Sequence, residues 1–268
     1  MTFDDGPTGD AKTTATLADL EGVNKPGTFF ISGYYSKMSD EKTAPQLVNM
    51  KLGGHEIQSH TWSHPDITRL KSFQRLSREL NTVKTWAQNK LDEQGMSMSA
   101  GDFTIFRPPY LIYDATRLAW VNQLGYPLAT TTIDTDDWTD NSLQARKDQI
   151  TRGFRPGHSM IILMHDEHYI PGLIPWISDF FTDEGYRFVT MSECYSLCME
   201  QNNCSVPCPY EVPEGYKYYP SKDSSGYDLY QANNRNITAI AAACDANSAC
   251  VAFNSNGWLK SRVNRVSV

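Results

Sequence analysis

Apolar positions divide the chain into short β-rich runs that alternate with amphipathic stretches as far as about residue 198. The runs with strand composition lie at 27–31, 55–58, 103–107, 128–133, 160–164 and 186–189. The stretches with helical periodicity lie at 13–21, 44–51, 72–91, 115–124, 142–152 and 173–184. Strands that alternate with helices predict an α/β fold whose parallel sheet is open or closed into a barrel.

The pattern changes after residue 198, where Asn, Pro, Ser and Tyr replace the periodic segments. We therefore predict a first domain at 1–198, a Cys/Pro-rich linker at 199–225 and a small disulfide-dependent module at 226–268. All cysteines of the chain fall in its last third, and they are Cys194, Cys198, Cys204, Cys208, Cys244 and Cys250.

The surroundings of the cysteines favour disulfides over a zinc site. Cys204 and Cys208 are flanked by prolines, and no histidine follows them. Glycosylation sequons begin at Asn203 and Asn236, as is typical of an oxidising secretory environment. We expect a secreted protein that acts outside the cell or in a cell wall, and the spacing leaves the cysteine pairing open.

The charge balance narrows the class of partner. Lys and Arg number 24 against 31 Asp and Glu in 268 residues, which gives a net charge of −7. An acidic chain lacks the basic surface that nucleic acids and anionic membranes require. No apolar run is long enough to span a bilayer. A neutral or cationic polymer is the more compatible partner, and the sequence does not set the oligomeric state.

Two neighbouring carboxylates near the start of the chain are the first candidate for chemistry. Asp4 and Asp5 precede Gly6 and Pro7, which would end a strand abruptly and leave both acids at its carboxyl end. An ordinary Asp-Gly turn would give the same sequence, so the alternative stays open on these residues alone.

A histidine pair is the second candidate. His60 and His64 are four residues apart, and on one helical turn they would share a face and hold one divalent metal with a carboxylate from elsewhere. Such a pair can also be two surface histidines. The glycine turn and predicted buried strand at 53–58 favour a site, because they place the pair at the carboxyl end of a strand.

Five short motifs follow one another over residues 2–166. They are Thr2-Phe3-Asp4-Asp5-Gly6-Pro7, His60-Thr61-Trp62-Ser63-His64, Arg107-Pro108-Pro109-Tyr110, Asp134-Thr135-Asp136-Asp137-Trp138 and Leu163-Met164-His165-Asp166. In type and order they resemble the motifs of the polysaccharide deacetylase family, the carbohydrate esterases with a NodB-type domain. The resemblance covers about residues 1–195 and implies a distorted (β/α) barrel with a metal at its carboxyl-end mouth.

The resemblance assigns the metal and the base. It implies that Asp5, His60 and His64 bind a divalent metal, zinc with cobalt as the alternative, and that Asp4 is the general base. Arg107 would pair with Asp4 and orient it. A carboxylate committed to a metal leaves its neighbour free to accept a proton from water, so the division agrees with the chemistry.

The remaining motif residues would serve the substrate. By resemblance, the backbone N–H of Tyr110 stabilises the oxyanion, and His165 protonates the departing amine while Asp137 keeps it charged. Trp138 and Leu163 match positions that line the acetyl pocket, although both could also be ordinary core residues.

The sequence departs from the family in two places. Leu111, Ile112 and Tyr113 follow Tyr110 where many members have a glycine, so the oxyanion loop is expected to differ in shape. Family members also carry an apolar strand before the first motif, of which only Met1 and Thr2 stand here. We therefore expect either a trimmed sequence or a barrel that lacks part of its first strand, with the aspartates on a frayed terminus.

The function that the resemblance implies is metal-dependent deacetylation of a polysaccharide that contains N-acetylglucosamine, with chitin or its oligomers preferred. The alternatives are peptidoglycan, acetylxylan, or a carbohydrate-binding protein of the same fold with weak catalysis. Residues 210–268 resemble an apple or PAN-type module, in which Trp258, Tyr227 and Tyr230 would stack on sugars or form a small core. A binder that had lost catalysis would be expected to lack a catalytic position, and every one is occupied.

Overall fold

The computed structural model describes residues 1–36, 40–139, 142–200, 228–231, 242–253 and 258–260. The chain divides into two compact units, Met1–Gln201 and Asn202–Val268.

A parallel five-stranded sheet forms the centre of the first unit. Its strands are β1 (Thr2–Asp4), β2 (Thr28–Ile31), β3 (Glu56–Ser59), β4 (Ile133–Asp134) and β5 (Ile162–His165). They lie in the order β3-β2-β1-β5-β4. The first three strands are buried along their whole length, as expected for a parallel sheet covered on both faces.

Single-residue bridges continue this sheet towards a closed ring. Phe106 bridges Ser59 on one side and Leu128 on the other, both in parallel orientation. The segment that begins at Leu128 then reaches the start of β5, where the N–H groups of Thr132 and Ile133 donate to the carbonyl of Ile161, the residue before that strand. The same segment thus contacts both ends of the strand series, and the fold is a distorted (β/α) barrel.

Two predicted strands are shorter than the apolar runs suggested, and a third is not formed. The run at 103–107 contributes only the bridge at Phe106, since Pro108 and Pro109 lack the N–H groups that would extend a ladder. The run at 128–133 becomes the bridge at Leu128 and the short β4, because its two ends pair with different neighbours. The prediction of a strand at 186–189 is wrong: Tyr186 and Phe188 pack against the core without a ladder.

The predicted helices are all present, with two additional helices of four and ten residues. The helices are α1 (Ala11–Val23), α2 (Gly33–Ser36), α3 (Asp40–Leu52), α4 (Phe73–Asp92), α5 (Ala115–Gln123), α6 (Leu143–Gly153), α7 (Leu173–Asp183) and α8 (Met191–Glu200). Ser72 caps the start of helix α4, since its side chain accepts from the N–H of Arg75, and the helix buries Leu76, Leu80 and Val83 against the core.

The expectation of a frayed first strand is wrong. β1 is the central strand of the sheet and pairs in parallel with β2 and β5. The Thr2 hydroxyl donates to the carbonyl of Ile162 at 2.7 Å. Phe3 is buried and stacks on Phe29 with ring centroids 4.9 Å apart. Ladders on both sides and a packed side chain therefore fix the residues that carry Asp4 and Asp5.

The second unit contains a three-stranded antiparallel sheet. Its strands are β6 (Asp228–Gln231), β7 (Ala252–Phe253) and β8 (Trp258–Lys260), in the order β6-β8-β7. A disulfide joins Cys244 and Cys250. Among the described cysteines, Cys194 carries a free thiol.

Several predictions fall outside the described residues. These are the sequons at Asn203 and Asn236, the cysteines Cys204 and Cys208, nearly all of the 199–225 linker, and Tyr227. The apple or PAN-type assignment of the second unit stays a prediction. Over the described part of the chain, no helix is both long and apolar enough to cross a bilayer.

Candidate active site

The motif residues meet at the carboxyl ends of the parallel strands. Asp4 ends β1, and His165 ends β5 directly opposite it in the strand register. His60 follows β3, and Arg107 follows the bridge residue Phe106. Because parallel strands end on one rim, these four segments, which are far apart in sequence, deliver polar side chains to the same mouth.

Asp4 is buried against a fixed cation. Arg107 donates from Nη1 to Oδ1 of Asp4 at 2.7 Å and to the Thr2 hydroxyl at 2.9 Å. Its Nη2 donates to the carbonyl of Thr130, and its guanidinium lies 4.1 Å from the ring centroid of Phe30. Both Asp4 and Arg107 are buried. The carboxylate is therefore held in one orientation by a partner that is itself held on three sides.

Asp5 turns towards the histidines instead. Its Oδ1 lies 2.9 Å from Nε2 of His64 and 3.6 Å from Nε2 of His60. Burial alone raises the pKa of Asp5, but the hydrogen bond with His64 and the nearby His60 and His165 outweigh it and hold the pKa well below its usual range. Asp5 is thus an anion that lies next to two imidazole rings.

The ring of His60 is oriented for ligation. Its Nδ1 lies 2.8 Å from the backbone carbonyl of Arg107, which can only accept, so Nδ1 carries the proton. The lone pair of Nε2 then points towards the aspartates. Burial first of all lowers the pKa of His60, which favours the neutral ring that binds metals.

The histidine pair lies in a loop, so the prediction of a shared helical turn is wrong. Residues 60–64 contain no helix, and Thr61 and His64 adopt left-handed φ angles of 73° and 54°. The two rings nevertheless come within 5.0 Å of one another between centroids. The backbone turn brings the rings together where helical periodicity was expected to do so.

Left-handed backbone conformations cluster at this mouth. Non-glycine residues with positive φ in the motifs and their loops are Asp5, Thr61, His64, Tyr110, Leu111 and Asp136. Such conformations persist only where the surroundings enforce them, and they concentrate at functional sites. Leu111 has a φ of 55° at the departure from the family pattern, a conformation that glycine adopts at no steric cost.

His165 forms a close pair with Asp137. Nδ1 of His165 lies 2.7 Å from Oδ1 of Asp137, and the other carboxylate oxygen accepts the backbone N–H of His165, also at 2.7 Å. Burial lowers the pKa of His165, but the hydrogen bond with Asp137 and the negative charges of Asp137, Asp4 and Asp5 raise it to about 9. Nε2 lies 4.0 Å from Oδ2 of Asp5, so the charged ring faces the aspartates.

The three predicted substrate residues differ in exposure. Tyr110 is 61% exposed, and its hydroxyl lies 3.2 Å from Nδ1 of His64. Its backbone N–H makes no hydrogen bond to any described residue. Trp138 is 59% exposed beside Asp137. Leu163 is buried on β5, where it pairs with Thr2.

Two further carboxylates near the mouth received no role from the sequence, although one of them, Asp166, ends the fifth motif. Glu79, on α4, accepts hydrogen bonds from the loop that joins His60 to His64. Asp166 is buried below Gly6 and accepts from the Thr13 hydroxyl at 2.6 Å, and burial raises its pKa to about 7. A β-carbon on Gly6 would stand 2.1 Å from Oδ2 of Asp166, so this contact requires glycine.

Comparison with known proteins identifies the family and the fold. The profile of the family described as polysaccharide deacetylase matches residues 1–129. A peptidoglycan-N-acetylglucosamine deacetylase of Listeria monocytogenes is 30% identical over 197 residues, which cover 73% of this chain and 38% of the relative. The chain thus spans well under half the length of that protein.

A fungal relative is covered more fully. The chitin deacetylase of Colletotrichum lindemuthianum is 31% identical over 204 residues, which cover 72% of this chain and 77% of the relative. The solved structure of the chitin deacetylase from this fungus superposes with a TM-score of 0.63 at 27% identity, over 72% of this chain and 84% of that one. With the ordered motifs gathered at one barrel mouth, these matches show that the chain belongs to the polysaccharide deacetylase family.

Proposed function

We propose that the protein hydrolyses the acetamido group of N-acetylglucosamine units in a structural polysaccharide, with chitin or chitin oligomers as the preferred substrate. The observation that carries the proposal is the separation of two consecutive carboxylates, Asp4 against Arg107 and Asp5 against two histidines. Arg107 orients Asp4, the proposed base, while Asp5, a proposed metal ligand, lies beside the two histidines proposed as the other ligands.

The donor set supports a divalent metal. Asp5, His60 and His64 offer ligand atoms that lie within 4.8 Å of one another. Two ligands on one zinc ion with bonds of about 2.1 Å lie at most about 4.2 Å apart, and both imidazole nitrogens are closer than that to the Asp5 oxygen. Three protein ligands, two of them imidazoles, suit zinc with cobalt as an alternative. The bound ion would polarise the acetyl carbonyl and acidify an attacking water.

Asp4 accepts the proton of that water. Its Oδ1 is occupied by Arg107, while Oδ2 lies 3.7 Å from Nε2 of His60 and faces the donor set. As the water oxygen bonds to the carbonyl carbon, its proton passes to Asp4, and the backbone N–H of Tyr110 donates to the developing oxyanion.

His165 donates the second proton. The carbon–nitrogen bond breaks as the amine nitrogen takes a proton from Nε2 of His165, and the products are acetate and a free amine. Asp137 stabilises the charged ring before transfer and orients it through the bond to Nδ1. An ester substrate depends less on this step, because an alkoxide leaves more readily than an amide anion.

Two observations support chitin and a location outside the cell. The fungal chitin deacetylase is covered over most of its length, whereas the bacterial peptidoglycan deacetylase is covered over little more than a third. The Cys244–Cys250 disulfide is of a kind that forms and persists in oxidising compartments.

Acetate release from N-acetylglucosamine oligomers tests the proposal. Purified protein is expected to contain about one equivalent of divalent metal, and chelation should abolish activity. Asp4→Asn should keep the metal but lose activity by roughly 10²- to 10⁴-fold, the usual contribution of a general base. Asp148→Asn, an exposed aspartate on α6, is the matched control and should behave as the parent. Undiminished turnover in Asp4→Asn would refute the assignment of the base.

The same assay distinguishes the substrates. The panel comprises chitin oligomers, peptidoglycan fragments and acetylxylan, and we expect the highest kcat/KM on chitin oligomers. A higher value on peptidoglycan or acetylxylan would keep the chemistry and overturn the substrate. Binding of the oligomers without acetate release would indicate a carbohydrate-binding protein instead.

A further inference from the structure

A carboxylate on α4 contacts the loop that joins the two histidines. Oε2 of Glu79 accepts the backbone N–H groups of Trp62 at 3.0 Å and of Ser63 at 2.7 Å. Oε1 accepts the Ser63 hydroxyl at 2.7 Å. Both carboxylate oxygens are thus committed to two consecutive residues between His60 and His64.

The loop needs such a partner because its backbone is unfavourable. Thr61 and His64 are in the left-handed region, where residues with a β-carbon are uncommon. The hydroxyl of Thr61 accepts the N–H of His64, which stabilises the turn from within. Glu79 provides the hydrogen bonds from outside, and without them two adjacent N–H groups would lose their acceptor.

The helix that carries Glu79 is rigidly placed. Leu76 and Val83, which lie three and four residues from Glu79 on α4, and the adjacent Leu80 are fully buried. The indole of Trp62 lies against Gly33, where a β-carbon would stand 2.0 Å from the ring, and 6.3 Å from the ring of Trp86. The 60–64 loop is therefore fixed in two ways. The Trp62 side chain packs against the core, and the backbone N–H groups of Trp62 and Ser63 donate to Glu79.

We propose that Glu79 is a positioning residue for the metal centre, holding the 60–64 loop so that both imidazoles face Asp5. This inference rests on the metal site proposed above. Residues outside the ligand set that orient ligands typically change metal affinity by 10- to 100-fold when they are replaced. The hydrogen bonds of Glu79 go to Trp62 and Ser63 rather than to a proposed ligand, so its effect would pass through the 60–64 loop.

The test measures zinc dissociation constants by competition with a chromogenic chelator. Glu79→Gln is nearly isosteric but presents one acceptor oxygen in place of two, and we expect zinc to bind about 10-fold more weakly or worse. Glu79→Asp keeps the charge but shortens the reach, and it should also weaken zinc binding. Asp92→Asn is the matched control, since it removes a charge from the same helix about 20 Å away and should bind zinc as the parent does.

The outcomes separate positioning from other roles. If Glu79→Gln binds zinc as tightly as the parent, the inference is overturned. A lower thermal midpoint of the metal-free variant with unchanged zinc affinity would also overturn it, because Glu79 would then only stabilise the fold. If Glu79→Asp retains full affinity while Glu79→Gln loses it, charge rather than hydrogen bonding acts, and positioning is overturned. A parent protein that binds no zinc would instead refute the proposed metal site.

Discussion

Asp4 and Asp5 are consecutive residues whose side chains contact different partners on different sides of the chain. In a strand, successive side chains point to opposite faces, and Asp5 departs further because its φ is 77°. Asp4 therefore stays with the buried guanidinium of Arg107, and Asp5 reaches the imidazoles. One change of backbone conformation between neighbours separates the proposed base from the proposed ligand.

The Asp137–His165 pair makes a prediction at the same scale. Asp137→Asn removes the charge that stabilises the imidazolium, so the pKa of His165 falls and less acid is available for the leaving amine. We expect kcat for amide substrates to drop by roughly 10²-fold at neutral pH. Acetate esters should lose less, because their leaving group needs less protonation. The measurement compares kcat for chitin oligomers and for an acetylated ester, with metal content checked in each sample.

An equal loss on amide and ester would contradict this role of Asp137. That result would mean that Asp137 maintains the structure of the barrel mouth, because its carboxylate also accepts the backbone N–H of His165. Asp136→Asn is a suitable control, since that residue lies next to Asp137 and its carboxylate accepts from Gln149 on α6.

At the scale of elements, periodicity predicted helices better than strands. Amphipathic stretches of eight residues or more carry their own signal, and α4 extends over almost the whole predicted range of 72–91. Strand bounds depend instead on neighbours in the ladder, which the sequence does not reveal. The run at 103–107 thus contributes one bridge at Phe106.

The sequence predicted those parts of the candidate site that depend on residue type. It did not predict those that depend on backbone conformation. Aspartates and histidines at the ends of apolar runs indicated the mouth, and β-α topology brings such ends together. The loop conformation of His60 and His64 depends on Glu79 and on left-handed φ angles, and neither follows from a four-residue spacing. Glu79 itself is one of several charged residues on this helix, and its position in the sequence does not distinguish it.

His55 links the beginnings of two strands and makes the stability depend on pH. It precedes β3, is 4% exposed, and its Nδ1 accepts the N–H of Gly27, which precedes β2. Burial, with Lys51 nearby, lowers its pKa to about 4. Between pH 6.5 and pH 4 the unfolded chain therefore binds a proton that the folded protein does not, and the free energy of unfolding decreases as the pH falls.

Comparison with His55→Gln isolates this contribution. From pH 7.5 to pH 5, the parent should lose on the order of 2 kcal/mol more stability than the variant, since each pKa unit corresponds to about 1.4 kcal/mol. Urea unfolding at both pH values gives the difference. Parallel losses in parent and variant would show that His55 is protonated equally in the folded and unfolded states.

At the scale of the whole molecule, all residues proposed for chemistry lie within the unit Met1–Gln201, and the Cys244–Cys250 disulfide lies in the other. Replacing both cysteines with serine removes a crosslink that constrains the unfolded form of the second unit, so that unit should become more sensitive to proteolysis. Since the barrel has its own core, kcat/KM on soluble chitin oligomers should not change.

The rate of acetate release from insoluble chitin then tests whether the second unit binds the polysaccharide. An enzyme that acts at a solid surface benefits from a second attachment point, because tethering raises the local concentration of substrate at the barrel mouth. If the second unit binds polysaccharide, the double serine variant should release acetate more slowly from insoluble chitin while keeping its rate on oligomers. Equal rates on both substrates would assign the unit a role apart from the polysaccharide. A loss on oligomers with full metal content would instead mean that the second unit supports the active site.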